Sequence, residues 1–502
     1  MNRRVETNYS SVPYGATAGQ RVLSKALPRF HSQLARWTVI TAALVLLALP
    51  FGTFANFPPT VVIWVTASIL FLLAFYGFRV SQRRGENPWL APLSLLMAFY
   101  FFKYGWGALA VYYWDLLPWE AVPGIGSTFL RYGEKAHLPT ACHLILLGGV
   151  GLYLGAGGPM PAVARWLPAL KWPIDHAKYS RNLVLYTPIA LLVFVVLRPL
   201  MSVVIRDTVL LLGWIVWVIL VIVSYRIFSP QTSGRAKWLM FLVLIFLAQL
   251  LLGLQTGMRA NFLYPILLIV LGYVIARGRL PWKVLAAAIP LFMFVVGPWL
   301  TLYKLEGEVE SISARISATS QQFAGTEFRA AFELGLDGLV GRFAGSGAGA
   351  LSVFSQYYPD PYPFEMGRSF VLTLEQLVPR VLWPEKPNLS LELNRYTIAV
   401  GMLPNEDDID YGVTSATFDA ISEYYLNFGL IGVLLFAVLH GYFFRILYYW
   451  LVKRSNYEMG ASLYIVFFFL NLDFFGVVQI FTSATRHLVV WPLILYGLSR
   501  KS

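Results

Sequence analysis

The feature that most constrains this chain is its series of apolar runs, most of them long enough to cross the ~30 Å hydrocarbon core of a membrane. Only 13% of the 502 residues are charged, against about 25% in an average soluble domain, which is too few to cover a soluble surface. The pattern predicts an all-α polytopic membrane protein with about twelve transmembrane helices. The candidate spans are residues 37–56, 58–78, 89–111, 140–157, 182–200, 207–226, 238–254, 261–276, 284–302, 424–444, 459–477 and 484–498.

The basic residues predict the orientation of these spans. If the N-terminus is cytoplasmic, the tail and the inner connections hold 24 of the 39 Lys and Arg residues but only Glu6, Glu86, Asp175 and Glu458 among the acids. Because Lys and Arg are retained on the cytoplasmic side, this bias predicts that both termini are cytoplasmic. Topology therefore accounts for the net charge of +13, and we expect no nucleic-acid partner.

The predicted organisation has five parts. In chain order they are a basic cytoplasmic tail, spans one to nine, a large periplasmic loop, spans ten to twelve and a cytoplasmic end (1–36, 37–302, 303–423, 424–498 and 499–502). We interpret the tail as preceding an uncleaved first span rather than as part of a signal peptide. Apolar residues at helical spacing predict amphipathic helices in the loop, over 326–343 and 368–380.

Residue counts argue against several site chemistries. Cys142 is the only cysteine, so the chain forms no internal disulfide and no cysteine-based metal site. The six histidines show no HxxH or HExxH spacing. The acidic run at 406–408 is more typical of a solvated turn than of a cation site. We therefore expect no metal and no cofactor.

Four arginines lie at the predicted outer ends of spans, where the topology disfavours them: Arg198, Arg206, Arg259 and Arg486. Ionisable side chains near the membrane usually face a bundle interior or a water-filled cavity. The alternative is that they reach outer headgroups or pair with an acid, as Arg206 can with Asp207. Arg259, in "QTGMRANF" (255–262), has no nearby acid in the sequence and is the better functional candidate.

A second group of cations lies in "LVPRVLWPEKP" (377–387), within the predicted loop. Arg380 and Lys386 flank Trp383, and three prolines stiffen the segment. The planar guanidinium of arginine suits bidentate contact with phosphate. The alternative is an ordinary ion pair between Lys386 and Glu385 or Glu392.

Two longer segments carry a family resemblance. "MGRSFVLTLEQLVPRVLWPEKP" (366–387) and "ISEYYLNFGLIGVLL" (421–435) resemble the Wzy-type O-antigen and exopolysaccharide repeat-unit polymerases. Those proteins tend to show a Gly-Lys/Arg-Ser start, a Pro-Arg…Trp-Pro-x-Lys-Pro segment and a Glu-x-Tyr-x-Asn-Phe-Gly-x-x-Gly segment. "TGMRANF" (256–262) resembles their short Gly-x-Arg turn.

The resemblance implies a metal-independent glycosyltransferase of the bacterial inner membrane. Its substrate would be an undecaprenyl-pyrophosphate-linked oligosaccharide, taken from the bilayer and polymerised at the periplasmic face. A flippase and a chain-length regulator would be its partners.

The implied reaction suggests roles for the cations. An acceptor hydroxyl attacks the anomeric carbon, and without a metal fixed cations must stabilise the leaving pyrophosphate. We expect Arg259 and Arg380 to be catalytic, and Arg486, Lys386 and Arg198 to bind the pyrophosphate or glycan.

The general base is a separate assignment. Glu423, predicted at the outer start of a span, is the candidate, and its alternative use is to stabilise a helix N-terminus. Asp410 and His487 are weaker candidates. Trp383 and Tyr424 are candidate sugar contacts, although interfacial anchoring is the commoner use of such rings.

Three other functions stay open at this point. A transporter with two six-span halves would suit twelve spans, but the long loop between spans nine and ten breaks that symmetry. An O-antigen ligase would use similar arginines, so composition does not separate it from a polymerase. A metal-dependent lipid-phosphate-sugar transferase would place acids in the first outer loop, and "FGTFANFPP" (51–59) has none.

Overall fold

A computed structural model describes most of the chain. The described residues are 27–113, 135–192 except 160, 203–256 except 231 and 233, 259–305, 311–334 except 328 and 332, 347–400 except 379–381, 384 and 388, 419–471, and 480–500 except 481, 482 and 485. Within them every regular element is helical, and Ile174 and Arg500 form an isolated antiparallel bridge.

The helices follow one another along the chain with mostly short connections. The first nine are α1 (Leu27–Ala48), α2 (Pro59–Arg83), α3 (Pro92–Tyr113), α4 (Leu138–Gly157), α5 (Val163–Trp166), α6 (His176–Leu191), α7 (Val203–Phe228), α8 (Arg235–Thr256) and α9 (Arg259–Arg277). The others are α10 (282–305), α11 (Ile312–Ala324), α12 (Ala350–Tyr357), α13 (Arg368–Leu377), α14 (Leu389–Ala399), α15 (Ala420–Lys453), α16 (Tyr457–Leu470) and α17 (486–499). A short 3₁₀ turn, Thr53–Asn56, precedes α2.

Six helices in the described part of the chain are long and apolar enough to cross a membrane: α2, α3, α4, α8, α10 and α15. They coincide with six of the predicted spans. Shorter apolar helices lie within α1, α7, α9, α16 and α17. The all-helical class and membrane-compatible helices are therefore found as expected, while the number of twelve spans stays a prediction.

The centre of the bundle is the contact between α4 and α15. Almost every residue of α4 is buried, and small residues face the contact. A Cβ atom at Gly151 would lie 2.8 Å from Cβ of Ala437, and one at Gly441 would lie 2.5 Å from the carbonyl of Leu152. Such small residues let two helix backbones approach closely, which is the usual basis of helix association in lipid. We name this contact the glycine seam.

Two ion pairs, one buried and one partly buried, connect distant segments at the predicted cytoplasmic end of the bundle. Arg445 lies 3.5 Å from the carboxylate of Glu86 and donates to the carbonyl of Ala156 at 3.1 Å. Arg226 lies 2.5 Å from the carboxylate of Glu458. Because each charge has an opposite partner, these residues fix the helix arrangement without leaving an isolated charge buried.

Candidate functional site

Helix α15 does not run straight from its first residue. Phe428 (φ −142°, ψ 17°) and Gly429 (φ 61°, ψ −146°) are non-helical, and only glycine adopts the second conformation readily. The hydroxyl of Tyr424 lies 2.8 Å from Nδ1 of His440, sixteen positions later in the chain. In a straight helix this separation would span about 24 Å. The chain therefore reverses at 428–429. We name residues 419–427 the re-entrant segment.

The re-entrant segment lies inside the bundle. All residues from 420 to 427 are buried. A Cβ atom at Gly148, midway along α4, would lie 2.9 Å from Cδ1 of Ile421. Non-helical backbone inside a membrane-protein bundle is tolerated where other parts of the protein enclose it. The sequence predicted that Glu423 lies at the start of a span, and the structure places it in this buried segment, before the reversal.

Residues 365–369, which we name the docking turn, pack against the re-entrant segment. The backbone N–H groups of Glu365 and Met366 donate to the carbonyls of Leu426 and Asn427 at 2.9 and 3.1 Å. Met366 has a φ of 50°, in the left-handed region, so the backbone turns sharply just before α13 begins. The docking turn is thus joined to the re-entrant segment by main-chain hydrogen bonds.

Side chains complete this contact through a buried network. Asn427 accepts from the N–H of Gly367 at 2.9 Å and donates to Oγ of Ser369 and to the carbonyl of Glu423, both at 2.8 Å. Ser369 in turn donates to the carboxylate of Glu423 at 2.7 Å. Ser369, Glu423 and Asn427 are each no more than 1% exposed. Because buried polar groups that find partners specify geometry strongly, the network fixes the docking turn relative to the bundle.

Aromatic contacts hold the start of α13 in the same place. The ring of Phe370 lies 4.7 Å from that of Phe436 and 5.9 Å from that of Phe428. The ring of Phe364 lies against Gly429, where a Cβ atom would be 2.9 Å from Cζ. Apolar packing of Phe364 and Phe370 therefore supports the reversal of α15, in addition to the hydrogen bonds of the docking turn.

A cavity of about 430 Å³ lies beside the docking turn. Its charged lining comes from Glu365, Arg368, Glu375 and Glu392. The volume falls within the roughly 300–1,000 Å³ that is usual for small-molecule sites. Carboxylates and a guanidinium can accept from and donate to a ligand rich in hydroxyl groups. Among the described residues of this lining, carboxylates outnumber cations, which disfavours a pyrophosphate at the same point.

Two tyrosines near the cavity stay protonated at neutral pH. Burial, followed by the Glu365 carboxylate, raises the pKa of Tyr396 well above its ordinary value, against the opposing effects of Arg368 and Arg395. Burial and the same carboxylate raise the pKa of Tyr358 to about 12. The hydroxyl of Tyr396 lies 3.5 Å from Oε2 of Glu365. These hydroxyls therefore keep their capacity to donate.

Four of the predicted site residues can be located with their side chains. Glu423 holds Ser369, and Tyr424 is buried against His440. Lys386 is buried and its Nζ donates to the carbonyl of Val378 at 2.9 Å. Trp383 is 36% exposed. Glu423 and Tyr424 thus share the re-entrant segment, while Lys386 precedes Pro387, which lines the cavity.

The remaining candidates include His487, whose side chain is also located, and two arginines that are described by their backbone. Arg259 is the first residue of α9, and Arg486 is the first of α17. His487 is buried, and its ring stacks on Trp491 at 4.1 Å. Three candidates lie outside the described residues: Arg198, Arg380 and Asp410. The predicted helix over 326–343 also lies largely outside them.

Sequence reasoning missed several residues that the structure brings to the site. Three of them lie within the two segments that carry the family resemblance: Arg368, Ser369 and Asn427. Their positions in those motifs could have identified them as site residues. Lys103 is the single charge in α3, and an ionisable residue inside a span is a functional candidate by default. Asp419 precedes a helix as an N-cap residue should.

Comparison with known proteins identifies a family for this chain. No curated protein and no solved structure matches the chain. A family model described as a domain of unknown function (DUF8712) matches residues 45–472, which include the re-entrant segment, the docking turn and the cavity. Because this match covers most of the sequence, the chain belongs to the family of the domain of unknown function DUF8712.

Proposed function

We propose that this protein is a metal-independent glycosyltransferase that polymerises undecaprenyl-pyrophosphate-linked oligosaccharide repeat units. It would act at the periplasmic face of the bacterial inner membrane and make an O-antigen or exopolysaccharide. In this proposal the chain crosses the membrane twelve times with both termini in the cytoplasm. A flippase supplies the repeat units, and a chain-length regulator acts beside the enzyme.

One observation carries the proposal: the two segments that resemble the polymerases are bonded to each other. Ser369, from the Gly-Arg-Ser start of the first segment, donates to Glu423, which opens the Glu-x-Tyr-x-Asn-Phe-Gly segment 54 residues later. Asn427 of the second segment bonds to Gly367 of the first. These hydrogen bonds give the two motifs a common structural role. The cavity lies beside this contact.

The cavity suits the acceptor sugar better than the pyrophosphate. In the reaction the acceptor hydroxyl attacks the anomeric carbon of the donor, the bond from that carbon to the pyrophosphate oxygen breaks, and the hydroxyl proton passes to a base. A base must lie within hydrogen-bond reach of that proton. Glu365 and Glu375 line the cavity and are the carboxylates proposed to take this proton from a sugar bound there.

Glu423 has a different part in this proposal from the base that the sequence suggested. It is fully buried, and its carboxylate accepts from Ser369 inside the network. A general base would have to release that bond and reach an open space. We therefore propose that Glu423 holds the docking turn, and that a cavity carboxylate takes the proton.

The leaving pyrophosphate needs positive charge that is already in place. Arg259, Arg380 and Arg486 are proposed to supply it, with Lys386 and Arg198 as further cations. Losing one preorganised donor of this kind costs about 3 kcal/mol of transition-state stabilisation, or roughly a hundredfold in rate.

The test is the size distribution of surface glycan in a strain that lacks the gene, complemented with variants. Wild type should restore a ladder, whereas Arg259→Ala and Arg380→Ala should leave a single repeat unit at normal protein levels. Arg329→Ala is the matched control, because Arg329 is exposed in the same predicted loop and pairs locally with Glu333 at 3.0 Å. Wild-type chain lengths in the Arg259 and Arg380 variants would refute the pyrophosphate role.

The deletion strain also separates the alternatives. Glycan cut to one repeat unit supports a polymerase. Full-length lipid-linked glycan that never reaches its final anchor would instead indicate a ligase. Repeat units trapped on the cytoplasmic side would indicate a transporter.

A further inference from the structure

Exposed apolar side chains are concentrated in one part of the predicted loop, 303–423. Among the described residues of that loop, every large apolar side chain that is exposed lies between positions 366 and 383. They are Met366 (74% exposed), Val371 (54%), Leu374 (66%), Leu382 (76%) and Trp383 (36%). Scattered apolar side chains are normal on a surface, but a cluster of this kind marks a contact with another molecule or with a membrane.

Helix α13 supplies the centre of this cluster. Ser369 and Leu372 lie on its buried face, whereas Val371 and Leu374, three residues apart, lie together on an exposed face. Met366 is exposed in the docking turn, just before the helix begins. We name Met366, Val371 and Leu374 the apolar edge.

The turn that follows α13 extends the same exposed surface. It is held against the end of the helix, because Nζ of Lys386 donates to the carbonyl of Val378 at 2.9 Å. Leu382 and Trp383 lie within this turn. Tryptophan is enriched where a protein meets the interface of a membrane, so its presence here favours a lipid contact.

The start of α13 lies beside α15 at the depth of the membrane, below the predicted outer end of that helix. The ring of Phe370 is 4.7 Å from that of Phe436. Phe436 follows Gly429 by seven residues in the chain, which is about 10 Å along a helix. Next to it α15 exposes Ile431 and Leu435. Side chains exposed at this level of a membrane-spanning helix meet lipid, and amphipathic helices bury their apolar faces about 5–10 Å into the same region.

The apolar edge also forms part of the cavity. Met366 and Val371 line the cavity together with Glu365, Arg368 and Glu375, and both apolar side chains are exposed as well. The cavity therefore combines a charged lining with an exposed apolar rim. Such a site suits an amphiphile, because the lining can bond a polar head while the rim contacts an apolar chain.

We propose that the apolar edge is embedded in the outer leaflet of the membrane, so that the cavity opens sideways at the lipid surface and admits the polar head of an amphiphile. The depth of Phe370 and the exposed apolar side chains of α15 beside it favour lipid over a protein partner as the occupant. The lipid contact stands without the proposed function. Only the identification of the amphiphile as the lipid-linked acceptor rests on that function.

Spin labels on the full-length protein test the lipid contact, in nanodiscs of phosphatidylethanolamine and phosphatidylglycerol. Wild type should take up no label, because Cys142 is its only cysteine and is buried. Nitroxides at Val371→Cys and Leu374→Cys should collide with oxygen, which concentrates in lipid, more than with a water-soluble nickel chelate. The ratio of the two should match that at Leu435→Cys and exceed that at Arg329→Cys, an exposed position in the same loop, by about threefold or more.

Each other outcome overturns the proposal. A ratio at 371 and 374 equal to that at 329 would place the apolar edge in water. Labels that neither reagent reaches would mean that protein covers it, either a second copy or another chain. Wild-type protein with a photoactivatable group on the lipid acyl chain gives a check that needs no variant. Adducts should form at 366–374 as well as on α15, and adducts on α15 without any at 366–374 would also overturn the proposal.

Glycan synthesis separates this inference from the proposed function. Leu374→Glu places a charge in the apolar edge and should shorten the glycan ladder at normal protein levels, whereas Leu374→Phe should keep it. If the labels report lipid while wild-type protein itself yields no ladder, the proposed function fails and the lipid contact stands. If wild type yields a ladder while the labels report water, the lipid contact fails and the function stands.

Discussion

Asn427 is the residue whose replacement tests the site most directly. It is 1% exposed and makes three side-chain hydrogen bonds, to Gly367, Ser369 and Glu423. Each contributes about 1 kcal/mol net, and an unsatisfied buried partner adds a further penalty. Asn427→Ala should therefore lower the free energy of unfolding by about 3–4 kcal/mol. Asn427→Asp keeps the acceptor for Gly367 but places a second carboxylate beside Glu423, so it should cost a similar amount.

The assay is equilibrium unfolding in mixed micelles, with hydrogen exchange at 365–368 as the local readout. Asn182→Ala is the matched control, because Asn182 is only half-buried and makes one hydrogen bond shown here, to the carbonyl of Leu498 at 2.9 Å. It should cost about 1 kcal/mol and leave the docking turn protected. If Asn427→Ala costs no more than Asn182→Ala, or leaves 365–368 fully protected, the account of the network is wrong.

Three other variants have expected outcomes that unfolding measurements can check. Gly429→Ala should destabilise the protein by about 3 kcal/mol, because its φ of 61° is combined with a contact to Phe364; Gly52→Ala, at a φ of 90° with open space, should cost only about 1 kcal/mol. Arg445→Met should cost about 3 kcal/mol by leaving the buried Glu86 carboxylate without its ion-pair partner, and adding Glu86→Gln should recover most of it. Gly151→Leu should abolish assembly of the glycine seam, seen as loss of monodisperse protein after extraction, and a normal elution profile would contradict the packing.

Hydropathy predicted the parts of this fold that depend on local composition. The runs at 58–78 and 140–157 are helices α2 and α4, because an apolar segment in lipid must satisfy its own backbone. The amphipathic pattern over 368–380 also gave a helix, Arg368–Leu377, which ends shortly before Pro379. Each of these helices is determined by residues that lie within one or two helical turns of one another in the sequence.

Contacts between distant segments could not be predicted in the same way. The run at 424–444 is as apolar as a straight span, and periodicity does not reveal that the chain reverses at Gly429. The bond between Ser369 and Glu423 depends on that reversal. The sequence therefore offered Glu423 as a candidate base or a helix N-terminal acid, and did not predict its contact with Ser369. Lys103 carried the clearest missed signal, since a lone charge in a span needs a partner whatever the fold.

The packing of Ile421, in the re-entrant segment, against Gly148 of α4 has a consequence for how the protein is made. About 270 residues separate the two, and a ribosome adds roughly 5–20 residues per second. Helix α4 is therefore synthesised tens of seconds before the segment that packs against it. The re-entrant segment must then enter a bundle in which α3 and α4 are already side by side. Folding of this protein would then include the insertion of a short buried segment between helices that are already in place, and a nascent chain stopped before residue 419 would lack that segment.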